Sequence, residues 1–195
     1  LGISIKTLRE VARRYRKDHE LALALWESRI HEARLLAVLI DDRRQLDEEQ
    51  MEAWVADIRS WDLCDQACNN LFVKWPGAYH KAREWAQRDE EFVKRAGFVL
   101  MAVLSVHDKK AGDDQFIGFF EDIVREADDP RNFVKKAVNW ALRAIGKRNA
   151  TLNEQALQVA RKLAGSEDKA ARWVSRQAIR ELESDKVQRK LQSQK

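Results

Sequence analysis

Glycine and proline are scarce: 7 and 2 in 195 residues. Turn-rich sandwiches, barrels and glycine-rich phosphate-cradling folds need far more punctuation and are excluded on that ground. No apolar run approaches the roughly 18 residues of a membrane span, and the N-terminus carries no signal-peptide pattern. The two cysteines, Cys64 and Cys68, are too few for a disulfide framework and read as small core fillers on one helix face. His19, His31, His80 and His107 are scattered without metal-ligand spacing. There is no serine elbow, P-loop or dinucleotide fingerprint, so no metal or cofactor is expected. What remains is 35% charged and 45% apolar, the balance of amphipathic helices in a reducing, cytoplasmic setting.

Charge is unevenly placed. Residues 131–195 hold 16 basic and 6 acidic side chains, which leaves 20 basic and 26 acidic in residues 1–130. A basic C-terminal third fits a polyanionic partner; a merely solvated basic surface fits the same count, and Lys186–Lys195 reads as such a tail.

No segment alternates with period two, so the chain is expected to be all-α, with about ten helices. Asp18 and Ser60 are placed to cap helices, and Asp47 with Gln50 and Thr151 with Glu154 have capping-box spacing. Asp129-Pro130 reads as an N-cap followed by a first-turn proline. Phe92–Val106 is nearly all apolar, the mark of a helix buried on most sides. Gly112–Ala127 reads as one helix, and Lys169 to about Ser184 as the last.

Glu91-Phe92-Val93-Lys94-Arg95-Ala96 is echoed 41 residues later by Asn132-Phe133-Val134-Lys135-Lys136-Ala137, and more weakly by Ala170–Val174 a further 37 on. A period near 40 with two helices per unit predicts a HEAT-like solenoid of stacked antiparallel helix pairs with a concave basic face. Residues 1–185 are expected to form one such domain, lacking one or two N-terminal helices, as a monomer.

In the helix from Arg131, Val134, Val138, Ala141 and Ile145 form the core stripe. Opposite lie Lys136, Trp140, Arg143 and Lys147, within roughly 60°. Cations around an indole suit phosphates beside a sugar or base; packing of Trp140 against a neighbouring repeat is the alternative. Trp61 and Asp65 share another helix face, one turn apart. The carboxylate is placed to act as a general base or to stabilise developing positive charge; an ordinary solvated aspartate has the same spacing. Asp62 reads as a first-turn acid complementing the helix dipole.

With these residues in view, the chain resembles the AlkD-like DNA alkylation repair family, the HEAT-like-repeat DNA glycosylases. The resemblance is carried by Gly2-Ile3-Ser4, Thr7-Leu8-Arg9, Trp26 with Ile30–Arg34, Ser60–Asp65, Lys94–Ala96 and Lys135–Arg143. It implies hydrolysis of the N-glycosidic bond of N3- or N7-alkylated purines in double-stranded DNA, without drawing the base into a pocket. Trp61 and Trp140 match the family's sugar-contacting tryptophans, Asp65 its catalytic aspartate and Arg95 its backbone-contacting arginine. Arg143 matches a further basic contact, and Lys94, Lys136, Lys147, Arg148 and Arg176 complete the candidate DNA-contacting set. Leu1 stands where the family tends to carry an aromatic residue. A glycosylase associated with the nucleoid is the expectation; non-catalytic binding of damaged or branched DNA and a protein-interaction scaffold are the alternatives.

Overall fold

A computed structural model describes residues 2–193; Leu1, and with it the expected departure at that position, lies outside them, as do Gln194 and Lys195. Every regular element among the described residues is helical. Two compact units are present, one ending at Ala78 and the other beginning at Tyr79.

The first unit contains α1 (Ile5–Ala12), α2 (His19–Glu27), α3 (His31–Ile40), α4 (Glu48–Asp57) and α5 (Trp61–Asn70), followed by a 3₁₀ turn at Phe72–Lys74. Asp18 caps α2 by accepting from Leu21 N, and Asp47 caps α4 by accepting from Gln50 N at 2.8 Å. The reciprocal half of the Asp47 capping box does not form. Gln50 Nε2 donates instead to Asp41 Oδ2 at 2.6 Å, and Asp41 also pairs with His19 Nδ1 at 2.7 Å. The charge-assisted bond to the buried Asp41 carboxylate sets the orientation of the Gln50 amide. Ser60 occupies the N-cap of α5 without a side-chain capping bond. Trp26 and Trp54 stack in parallel at 4.0 Å, with the Arg34 guanidinium 4.9 Å over Trp26.

The second unit contains α6 (Ala78–Ala86), α7 (Glu91–His107), α8 (Asp113–Ile117), α9 (Phe119–Arg125), α10 (Asn132–Gly146), α11 (Ala150–Ala164), α12 (Lys169–Leu182) and α13 (Asp185–Gln192). Helix α7 is buried from Val93 to Ser105, as its composition requires. Helix α10 packs on α7, α11 and α12, and α11 packs on α12. The two members of the 41-residue echo therefore open neighbouring helices of a stack, where Phe92 and Phe133 meet at 5.3 Å. Val134, Val138, Ala141 and Ile145 are all fully buried.

Four expectations are corrected by the structure. The segment 112–127 is two short helices, with Gly118 serving as the C-cap of α8 and the N-cap of α9. Asn149, not Thr151, caps α11 by accepting from Leu152 N; Thr151 lies inside the helix. Asp129 stands two residues before the α10 N-cap, Arg131, and binds its amide and guanidinium, so Pro130 precedes the helix instead of opening it. The described part of the basic tail is helical, because Val187 and Leu191, four apart, bury a narrow apolar seam.

Candidate nucleic-acid interface

In the first unit the feature is the start of α5. Leu63, Cys64, Ala67 and Cys68 are buried and fix the helix's rotation. That rotation leaves Trp61 54% exposed, an unusual position for so large an apolar surface. Asp65 lies half-buried one turn along the same face. Asp62 is held by His31 of α3, whose Nε2 lies 2.7 Å from Oδ2. Burial is the largest single influence on Asp62 and opposes its ionisation, but the bond and charge of His31, together with further hydrogen bonds, outweigh it and keep the carboxyl below its ordinary range. Asp62 thus anchors α5 to α3, beyond its first-turn dipole role. The Arg9 guanidinium reaches Gln66 Oε1 at 3.4 Å, tying α1 to the same helix. The arrangement presents an open indole beside a carboxylate on a braced helix.

In the second unit the feature is the polar side of α10. Lys136 is exposed and Trp140 half-buried. Glu181 of α12 binds both Arg143 and Lys147, the latter at 2.5 Å. Burial raises the cost of charging Glu181, yet the bonds from Lys147 and Arg143 prevail and hold its carboxyl below the usual range. On the same side of the stack, Lys135 Nζ stands 5.2 Å over the Trp173 ring, a cation–π pair between α10 and α12. Arg176 of α12 is exposed.

The remaining predicted contacts are placed differently. Lys94 is buried against Glu126, with Asp129 at 3.9 Å. Arg95 is buried too, donating to Phe133 O at 2.7 Å and so joining α7 to the first turn of α10. A buried cation must be paired, and both residues meet that need inside the protein rather than on an open face. Arg148 donates to Ser105 O at 3.0 Å and Ala111 O at 2.8 Å, and covers the Phe116 ring at 4.4 Å. These bonds fix its guanidinium.

A cavity of about 300 Å³ adjoins Trp140, and its lining includes Lys109, Lys147, Arg148 and Lys190. Sequence reasoning missed Lys109, Lys190 and Glu181. The spacing of Val187 and Leu191 is the signal that could have placed Lys190 on a packed helix. Among the described residues no group of three or more His, Cys, Asp and Glu side chains is arranged to hold a metal ion. No helix among them is long and apolar enough to cross a membrane.

A family model described as DNA alkylation repair enzyme matches residues 1–182. Among solved structures, the chain is similar to a member of a new family of proteins related to the HEAT-like repeat DNA glycosylases with affinity for branched DNA structures. The identity is 18%, the TM-score 0.69, and the match covers 92% of this chain and 81% of that one. At that identity the likeness establishes a shared HEAT-like fold. The designed armadillo repeat protein YIII(Dq)4CqI matches at 16% identity and TM-score 0.42 over 91% of this chain and 92% of its own. No curated protein gave a match.

Proposed function

The chain belongs to the DNA alkylation repair enzyme family, and on that premise we propose that it excises N3- or N7-alkylated purines from duplex DNA by hydrolysing their N-glycosidic bond. The observation that carries this reading is Asp65, one turn from the exposed Trp61 on α5. A surface that only bound phosphates would gain nothing from an anion there. An alkylated purine is already cationic, so it departs as a neutral base and needs no general acid. The sugar left behind is oxocarbenium-like. A carboxylate stabilises that charge and orients the attacking water, while indole faces contribute cation–π attraction.

Trp61 supplies the indole beside Asp65 in this reading, and Trp140 offers an indole to DNA within the second unit. Lys136, Arg143, Lys147 and Arg176 meet backbone phosphates. Lys94 and Arg95, held by internal partners, position the helices that carry them. No Schiff-base lysine takes part, so the strand is not cleaved.

The test is release of 7-methylguanine from methylated duplex DNA. Asp65→Asn keeps size and hydrogen bonding but removes charge, and excision should fall about 10²- to 10³-fold, the scale of one preorganised electrostatic contact. Binding to undamaged duplex should hold or tighten. An Asp65→Asn protein that folds normally and excises at the wild-type rate refutes the mechanism. The affinity of the structurally similar relative for branched DNA supports a second reading, a non-catalytic DNA-structure binder. A wild-type protein that releases no base yet prefers a four-way junction to a duplex would establish that one.

A further inference from the structure

The cavity beside Trp140 is built from three directions. Helix α10 gives Trp140 and its last turn leads into Lys147 and Arg148; the segment after α7 gives Lys109; α13 gives Lys190. All four cations line it, and among the described residues no acidic side chain does. The family match stops at residue 182, so α13 (Asp185–Gln192) is an addition beyond the matched stretch.

Helix α13 is firmly seated. Val187 and Leu191 are buried, and Gln188 Nε2 donates to Leu182 O at 2.7 Å and to Asn153 Oδ1 at 3.2 Å. What the seating delivers is Lys190 at the cavity.

The four cations are unequally committed. Arg148 is locked by two backbone carbonyls and a ring face, and Lys147 shares Glu181 with Arg143. Lys109 and Lys190 are exposed, and among the described residues neither has a carboxylate partner. Two fixed and two open cations around one small concavity, walled by an indole, match a tetrahedral anion joined to a planar or ring-shaped group. That is the chemistry of a phosphate with its nucleoside.

We propose that this cavity is a phosphate-binding subsite for the DNA strand, completed by Lys190 of α13, with Trp140 covering the attached nucleoside. The inference rests on the reading that the chain acts on DNA, and it adds a contact outside the family-matched residues. An internal phosphodiester and a phosphorylated strand end share this chemistry.

The experiment measures the salt dependence of binding to an undamaged duplex by fluorescence anisotropy, for wild type, Lys190→Met, Lys109→Met and Lys162→Met. Lys162 is exposed on α11 and does not line the cavity. The slope of log K against log salt should fall by about 0.9 in Lys190→Met and in Lys109→Met, because each removes one cation from a phosphate, with no such change in Lys162→Met. Affinity at about 0.1 M salt should drop roughly three- to tenfold in both cavity variants. Lys190 is exposed, so the melting midpoint of Lys190→Met should match wild type.

Duplexes with and without 5′-phosphates separate the sources. A weakening seen on both identifies an internal diester, and one confined to phosphorylated ends identifies a terminal monoester. Cavity variants indistinguishable from Lys162→Met overturn the subsite. Release of 7-methylguanine is scored separately, so a protein that excises bases with unchanged slopes loses only this inference. One that shows the slope differences without excision loses only the glycosylase reading. A wild type that does not bind DNA overturns both.

Discussion

Glu181 occupies the place that a DNA phosphate is proposed to take. Its carboxylate binds Arg143 and Lys147 together, so in the DNA-free protein two of the four residues of the α10 basic stripe share one internal counter-charge. Glu181→Gln keeps the shape and removes the charge. All three side chains are about one-third exposed, the regime in which an ion pair contributes about 0.2–1 kcal/mol. Releasing two such pairs should tighten binding to undamaged duplex by up to ~2 kcal/mol, or as much as roughly thirtyfold. The salt slope should steepen by about one unit for each cation freed. The matched control is Glu183→Gln, whose carboxylate pairs with Arg161 at 2.8 Å; it makes the same change in net charge without touching the stripe. Fluorescence anisotropy across roughly 50–300 mM salt resolves the two. If Glu181→Gln binds no tighter than Glu183→Gln and shows the same slope, Arg143 and Lys147 do not meet phosphates, and the α10 stripe is not a DNA surface.

Gly97→Ala should destabilise the protein by up to about 2 kcal/mol in urea unfolding. A Cβ there would stand 2.8 Å from Ala82 O and closer still to Ala86 N, and the overpacking penalty of about 1–3 kcal/mol offsets the ~1 kcal/mol gained in helix propensity; a stabilising result contradicts the close approach of α6 and α7. Acid should unfold the protein through carboxyls held below their ordinary range. Asp168 accepts from the Ala171 and Ala170 amides, while Asp129 overcomes its burial through bonds from Arg131, and Glu181 through Lys147 and Arg143. A depressed folded pKa stabilises above the unfolded value and is lost as pH falls through the folded one, so the melting midpoint should stay level from pH 7 to about 5 and drop below about 4. A midpoint that rises on acidification to about pH 3 contradicts these pairings.

The helical fold was legible because its determinants are local. The apolar run Phe92–Val106 falls within α7, α12 starts at Lys169, and Asp18 and Asp47 cap where their positions require. Local rules failed where another partner took the side chain: Gln50 turned to Asp41, and Asp129 was taken by the side chains of Arg131 and Lys94. Trp61 stands at the border of the face of α5 that Leu63, Cys64, Ala67 and Cys68 bury, and the structure leaves it exposed there.

Charge was the least legible property, and the repeat explains why. Stacked helix pairs touch only their neighbours, so a long cationic side chain finds its partner about one repeat away in sequence. Arg95 meets Phe133 O at a separation of 38, Arg143 meets Glu181 at 38, Arg83 meets Asp122 at 39, Arg131 meets Asp89 O at 42 and Arg148 meets Ser105 O at 43. These separations bracket the 41-residue echo. A count of basic residues therefore overstates the charge offered to a partner, because many of those cations stitch one repeat to the next. Of the seven cations the sequence singled out, Lys136 and Arg176 are the exposed ones. Two of the engaged cations meet an acid at this separation, Glu181 38 residues after Arg143 and Asp122 39 after Arg83. The same separation bears on the two open lysines of the cavity. The stretch Lys147–Leu152 lies one repeat after Lys109 and one repeat before Lys190, and it contains no acid. Both lysines look for a partner in a segment that begins with two cations, and for that reason their charge stays available at the cavity.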